Sequence, residues 1–169
     1  MTPRPRKGGP RDGRSEARGE PPGARQGSSS EHPFDARDEV FRDDMRSRLD
    51  EREPLAARVL ARLEELGCRT DPYFDRLSID EALSNAVVHG NRRDPRKTVS
   101  VRAFVRPERW GVEVSDEGEG FDWKAWLERL REGTDPYAMS GRGIALIIAS
   151  GAEVVFLDGG RRVLIVRKR

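Results

Sequence analysis

Glu81-Ala82-Leu83-Ser84-Asn85-Ala86-Val87-Val88-His89-Gly90-Asn91 is the stretch on which the reading of this chain turns. Four-residue spacing sets Glu81, Asn85 and His89 along one side of a helix, since side chains four apart lie one turn above another. Ile79, Leu83, Ala86 and Val87 fall on the opposite side. Val88 lies close in angle to Glu81 and Asn85, so the polar side does not simply face bulk water. A carboxylate and an amide on a semi-enclosed face suit phosphoryl chemistry. The amide oxygen is a hard ligand for Mg²⁺, which keeps several waters and takes its other ligands from phosphate. The carboxylate orients an attacking hydroxyl or accepts its proton. A plainer reading stands beside this one: Ser78-Ile79-Asp80-Glu81 is a capping-box pattern, in which Glu81 would only satisfy a helix N-terminus. If the helix opens at Asp71-Pro72 instead, with proline in its first turn, Ser78 is internal and Glu81 is free.

Outward from this helix the elements alternate in period. Upstream, Leu55, Val59, Leu60, Leu63 and Leu66 make an apolar helix stripe, with Gly67 as its stop. Residues 38–50 fit two patterns: Phe41, Met45 and Leu49 line one face of a helix or one face of a strand. Downstream, Val99, Val101, Ala103 and Val105 share a strand face, and Trp110, Val112 and Val114 do the same after Pro107-Glu108, which predicts a hairpin. A short amphipathic stretch at 122–131 and a loop at 132–140 follow. The run 144–149 reads as a buried helix. Strands at 153–157 and 162–167 are joined by Asp158-Gly159-Gly160, a hairpin turn signal. The order predicts an α/β (α+β) two-layer sandwich, a mainly antiparallel mixed sheet with helices on one face.

Two further motifs carry chemistry. In Asp116-Glu117-Gly118-Glu119-Gly120-Phe121, strand parity carried from Trp110 points the Asp116 carboxylate to the core face. A buried unpaired charge is costly, so Asp116 needs a donor, and the exocyclic amine of an adenine would serve. Gly118 and Gly120 let backbone approach a ligand closely. The plainer alternative is a glycine-rich turn with a solvated aspartate. Ser140-Gly141-Arg142-Gly143 opens the apolar run: flexible backbone at a helix N-terminus presents N–H groups to an anion, and Arg142 adds a charge-assisted contact. An ordinary helix cap has a similar appearance.

Composition bounds the rest. Residues 1–35 hold seven Arg/Lys and five Asp/Glu, a surplus of two that equals the +2 of all 169 residues. The basic character therefore belongs to this Gly-, Pro-, Arg- and Ser-rich segment, read as a disordered tail, with residues 36–169 as the domain. A nucleic-acid module carries its positive charge on the folded part, so nucleic acid is not the expected partner. No apolar run approaches the roughly 20 residues of a membrane span, and no apolar segment follows the basic N-terminus as in a secretory signal. A cytoplasmic protein is expected. One cysteine, Cys68, and two histidines, His32 and His89, exclude a disulfide framework and a zinc cluster.

The three motifs, in this order, resemble the Bergerat ATP-binding fold shared by gyrase, Hsp90, histidine kinases and the MutL mismatch-repair proteins. Within it, the string Glu81–Asn91 and the short chain are most similar to the anti-sigma-factor serine kinases, over about residues 40–169. The resemblance implies ATP and Mg²⁺ as cofactors, Glu81 as general base and Asn85 as magnesium ligand. It implies Asp116 as the adenine-binding aspartate, Gly118 and Gly120 as the hinge of a nucleotide lid, and Gly141 and Gly143 as glycines at the phosphates. It further implies a serine acceptor on an antagonist protein, a sigma factor as second partner, frequent dimers, and a strand for residues 38–50. Met139 stands before Ser140 where some members have a basic residue. A nucleotide-gated module that sequesters a regulator without catalysis is the alternative function.

Overall fold

The structure, a computed structural model, describes residues 23–27, 32–125, 128 and 142–169. Its elements run β1 (Ala24–Gln26), β2 (Glu39–Arg46), α1 (Arg52–Glu65), α2 (Phe74–Asn85), β3 (Thr98–Val105), β4 (Arg109–Asp116), α3 (Arg142–Ala149), β5 (Glu153–Leu157) and β6 (Arg162–Lys168). The strands form one sheet in the order β1-β5-β6-β4-β3-β2. All neighbours are antiparallel except β1, which runs parallel to β5. This is the expected two-layer sandwich, and residues 39–46 take the strand alternative.

The helices share one face of the sheet because their apolar stripes and the strand alternation meet there. Leu55, Val59 and Leu63 of α1 and Ile79, Leu83 and Val87 from α2 onward pack with Val99, Val101, Val112, Val114 and Ile165 in one core. Trp123 stacks flat on Phe156 at a centroid separation of 5.0 Å. Leu66, placed in the stripe by its spacing, is only half-buried beyond the end of α1. The chain turns there at Gly67, and the Cys68 N–H returns to the Leu63 carbonyl at 3.0 Å. Cys68 is buried, which pushes its thiol pKa up.

The start of α2 decides between the two readings of Glu81. Asp71 Oδ1 accepts the N–H groups of Tyr73 and Phe74 at 2.9 and 2.8 Å, while Asp75 Oδ2 accepts the Asp71 N–H at 2.7 Å. These carboxylates satisfy the first turn. Ser78, a turn further in, donates to the Phe74 carbonyl at 2.7 Å, so the Ser78–Glu81 capping box does not form. The α-helix was expected to run from Pro72 to His89. It starts two residues later, and beyond Asn85 it widens into a π turn, Ala86–Gly90. The Asn91 N–H reaches five residues back to Ala86 at 2.7 Å.

The other face of the sheet is covered by chain that composition placed in the tail. Phe104, Val155, Leu157, Leu164 and Val166 form a second apolar cluster, closed by Phe34, which stacks on Phe104 at 5.4 Å. Beside them Glu113, 1% exposed, meets Arg162 at 2.7 Å, His32 at 3.1 Å and Arg102 at 3.4 Å. Arg106 holds Asp35 at 2.8 Å and Asp38 at 2.7 Å. Residues 24–26 and 32–35 thus differ from the expectation of a structureless segment through residue 35. Average composition hides one aromatic anchor and a few well-aimed charges. Residues 1–22 and 28–31, the remainder of the expected tail, lie outside the described residues, as does most of the stretch 126–141.

Burial alone would push the Glu113 carboxyl up, but hydrogen bonds with His32 and Arg162 and the charge of the guanidinium bring it below its ordinary 4.5. The unfolded chain then binds more protons between the folded value and 4.5, so this contribution to stability is complete above about pH 4.5 and lost as pH falls through the folded value. Glu113→Gln removes the buried counter-charge of Arg162, which keeps Asp158 at 3.0 Å, and is expected to cost about 1–3 kcal/mol at neutral pH. It should also flatten the acid limb of stability measured by urea denaturation across that window. A variant whose pH profile runs parallel to the parent protein would exclude the role.

Candidate functional site

The π turn after α2 and the last residue of β4 meet at one point. Gly90 packs so closely on Asp116 that a Cβ on the glycine would overlap the aspartate carboxyl carbon. Only a residue without a side chain admits this approach. Gly118 in turn sits on the Gly90 carbonyl, and the Gly118 N–H donates to Asp116 Oδ1 at 2.8 Å. The backbone of Asp116 is tied on its other side, its N–H donating to the Arg161 carbonyl at 3.0 Å.

A cavity of about 200 Å³ opens at this junction. Its walls are mostly apolar: Ala82 and Ala86 from the α2 side, Val114 from β4, Ile144 from α3, Val163 from β6, and Phe121 at the rim. Asn85, His89 and Asp116 supply its polar side chains, and Gly90, Gly120 and Gly160 expose backbone. Asp116 Oδ2 has no hydrogen-bond partner among the described residues. Burial raises the Asp116 pKa, opposed by the Gly118 N–H and the charges of Lys97 and Arg161. An apolar slot with a carboxylate oxygen open at its floor fits a flat heteroaromatic ring that carries an N–H donor.

Glu81 does not line this cavity; it stands one turn before Asn85, where α3 begins. A Cβ on Gly143 would overlap the Glu81 carboxylate, so the glycine in the first turn of α3 is what lets that helix close on Glu81. The cavity therefore gathers Asn85, Asp116 and Gly120, while Glu81 and Gly143 adjoin each other next to it. Gly118 and Gly120 approach protein: Gly118 rests on the end of α2, and Gly120 on the Gly159 carbonyl. Ser140 and Gly141 lie outside the described residues, and Arg142 is described only as the backbone that starts α3. Two participants escaped sequence reasoning. Gly90 and Asn91 read as a helix stop, yet Gly90 receives Asp116, and Asn91 is buried and bonded on both sides of the junction. The available signal was the pairing of a helix-end glycine with a strand-end aspartate. His89 is exposed and borders the cavity.

Residues 46–168 match the histidine kinase-like ATPase domain. The chain belongs to that family. Membership in this ATPase family implies ATP binding, and the apolar slot with its half-buried carboxylate and exposed glycine backbone fits a purine ring. The serine-protein kinase RsbW of Bacillus subtilis (strain 168) is 34% identical to this ATPase domain over 65 residues, 38% of each chain. The alignment thus spans well under half the length of that curated relative. Among the described residues no helix is long and apolar enough to cross a membrane. Among them, too, no three His, Cys, Asp or Glu side chains cluster as a metal site.

Gly90→Ala should drive Asp116 off the end of α2. Overpacking at such a contact typically costs about 1–3 kcal/mol. A loss of that size in urea denaturation, together with weakened nucleotide binding by titration calorimetry, is the expected outcome. An unaltered protein would exclude the close contact.

Proposed function

We propose that this histidine kinase-like ATPase domain is a protein serine/threonine kinase acting as an anti-sigma regulatory factor, which transfers the γ-phosphoryl group of ATP to a serine of an antagonist protein. The observation that carries the reading is the arrangement of Glu81 and Asn85. They stand one turn apart on α2, which lines one wall of the cavity, with α3 closed on Glu81 through Gly143. The local likeness to a serine-protein kinase supports it further.

Each residue has its part. Asp116 accepts the amino group of adenine, with Val114, Ile144 and Val163 about the ring. Asn85 is one oxygen ligand for Mg²⁺, a cation that takes most of its shell from phosphate and water. Ser140, Gly141, Arg142 and Gly143 approach the phosphates at the start of α3, and Gly118 and Gly120 form the hinge of a lid. Glu81 takes the proton of the acceptor hydroxyl as that oxygen bonds to the γ-phosphorus and the bond from phosphorus to the bridging oxygen breaks, releasing ADP. The partners in this reading are a sigma factor, the antagonist and a second copy of the chain, in the cytoplasm.

Glu81→Gln should retain ATP binding and lose transfer of label from γ-labelled ATP to the cognate antagonist. Unchanged transfer would reject Glu81 as the base. If the parent protein binds ATP and labels no antagonist, the domain is a nucleotide-gated sequestering module instead. Asp116→Ala is expected to cost about 1–3 kcal/mol of ATP binding, the range for a lost buried hydrogen bond, read by calorimetry. Equal affinity would remove adenine recognition from Asp116.

A further inference from the structure

The β3–β4 ladder ends with Val99 opposite Asp116. Thr98 and Glu117 would make its next rung, but the side-chain amide of Asn91 stands between them. Its Nδ2 donates to the Thr98 carbonyl and its Oδ1 accepts the Glu117 N–H, both at 2.9 Å. The Glu117 carboxylate closes the same end by accepting the Thr98 N–H at 2.6 Å. Asn91 is 0% exposed, and its backbone is engaged as well, its N–H on Ala86 at 2.7 Å and its carbonyl on the Asp94 N–H at 3.1 Å. The chain leaves this point through Arg92 and Arg93, two successive non-glycine residues at φ of 55° and 58°. Backbone of that kind persists only where its surroundings hold it.

We propose that Asn91 is a positioning residue for nucleotide recognition: its amide replaces the missing ladder rung and so fixes the backbone next to Asp116, and with it the carboxylate, against the end of α2. The inference rests on the assignment of the cavity to ATP. An asparagine suits the place because it offers a donor and an acceptor in one plane. Aspartate keeps the acceptor and loses the donor. Alanine orphans the Thr98 carbonyl and the Glu117 N–H together. A recognition group must be held to a fraction of an ångström to act on a ligand, and the Asp116 carboxylate discriminates an amino group from the carbonyl that guanine presents at the same ring position. Loss of the clamp therefore degrades purine selectivity. Simple loss of stability would leave selectivity intact in the folded fraction.

The test uses the full chain and two variants, Asn91→Ala and Asn91→Asp, with two measurements. Amide hydrogen exchange of the nucleotide-free protein should show Glu117 opening about tenfold faster or more in Asn91→Ala, which removes its acceptor, and less in Asn91→Asp, which keeps it. Titration with ATP and with GTP should show ATP affinity falling by about tenfold and the ATP-over-GTP preference shrinking. Parent-like exchange at Glu117 in Asn91→Ala overturns the clamp. Fast exchange with an unchanged ATP affinity and ATP/GTP ratio overturns the role in recognition. Should Asn91→Ala fail to fold, Asn91→Asp carries the test through the ATP and GTP titrations, because it severs the bond to the Thr98 carbonyl. A parent protein that binds no ATP defeats the reading of the cavity and this role together, whereas a parent that binds ATP beside an unaffected Asn91→Asp defeats this proposal alone.

Discussion

The structure depends on the contact in which Asp116 occupies the space that a side chain on Gly90 would need. It joins the last turn of the second helix to the end of a central strand, and so sets the distance between the helical layer and the sheet where the cavity opens. The segment that follows is stitched down on both sides: Gly118 on the Gly90 carbonyl, Asp116 N–H on Arg161 and Phe121 N–H on Gly159 at 3.1 Å. Burial of the carboxylate costs free energy in the ligand-free protein, only partly offset by the Gly118 N–H. A donor brought in by a ligand would relieve that cost, which is why a carboxylate is useful at the bottom of an otherwise apolar slot.

The two faces of the sheet are solved by different physics. Towards the helices, aliphatic side chains interdigitate in a core that uses dispersion and water exclusion. On the outer face a small apolar cluster surrounds Glu113, whose charge is met by Arg162, Arg102 and His32. Many other ion pairs of this charge-balanced domain lie in the open, such as Arg92 with Glu119 or Arg96 with Asp94, and exposed pairs of that kind add little. The Glu113 cluster differs because Glu113 itself is shut away from water and depends on Arg162, Arg102 and His32 for compensation.

The helix stripes and strand alternations were legible because burial on one face forces a period onto the sequence. Leu55, Val59 and Leu63, or Val99, Val101 and Ala103, could face only one way. The site was partly legible on the same grounds: parity from Trp110 carried Asp116 to the helical face, where it borders the cavity. Residues 24–26 and 32–35 escape a reading by composition because their anchoring is sparse. Phe34 and a handful of charges hold them, and neither has a periodicity to detect.

What the sequence determined by itself is the succession of elements, the face each presents, and the presence of a carboxylate–amide helix, an aspartate at a strand end and glycines before a helix. These are local facts, fixed by backbone period and by the few residues that tolerate sharp turns. What only the tertiary structure decided is which residues share a point in space. That Gly90 receives Asp116, that Gly143 makes room for Glu81, and that the amide of Asn91 stands in for a rung between Thr98 and Glu117 are contacts between segments far apart along the chain. Each needs a small or amide-bearing residue whose identity has no meaning until its partner is beside it.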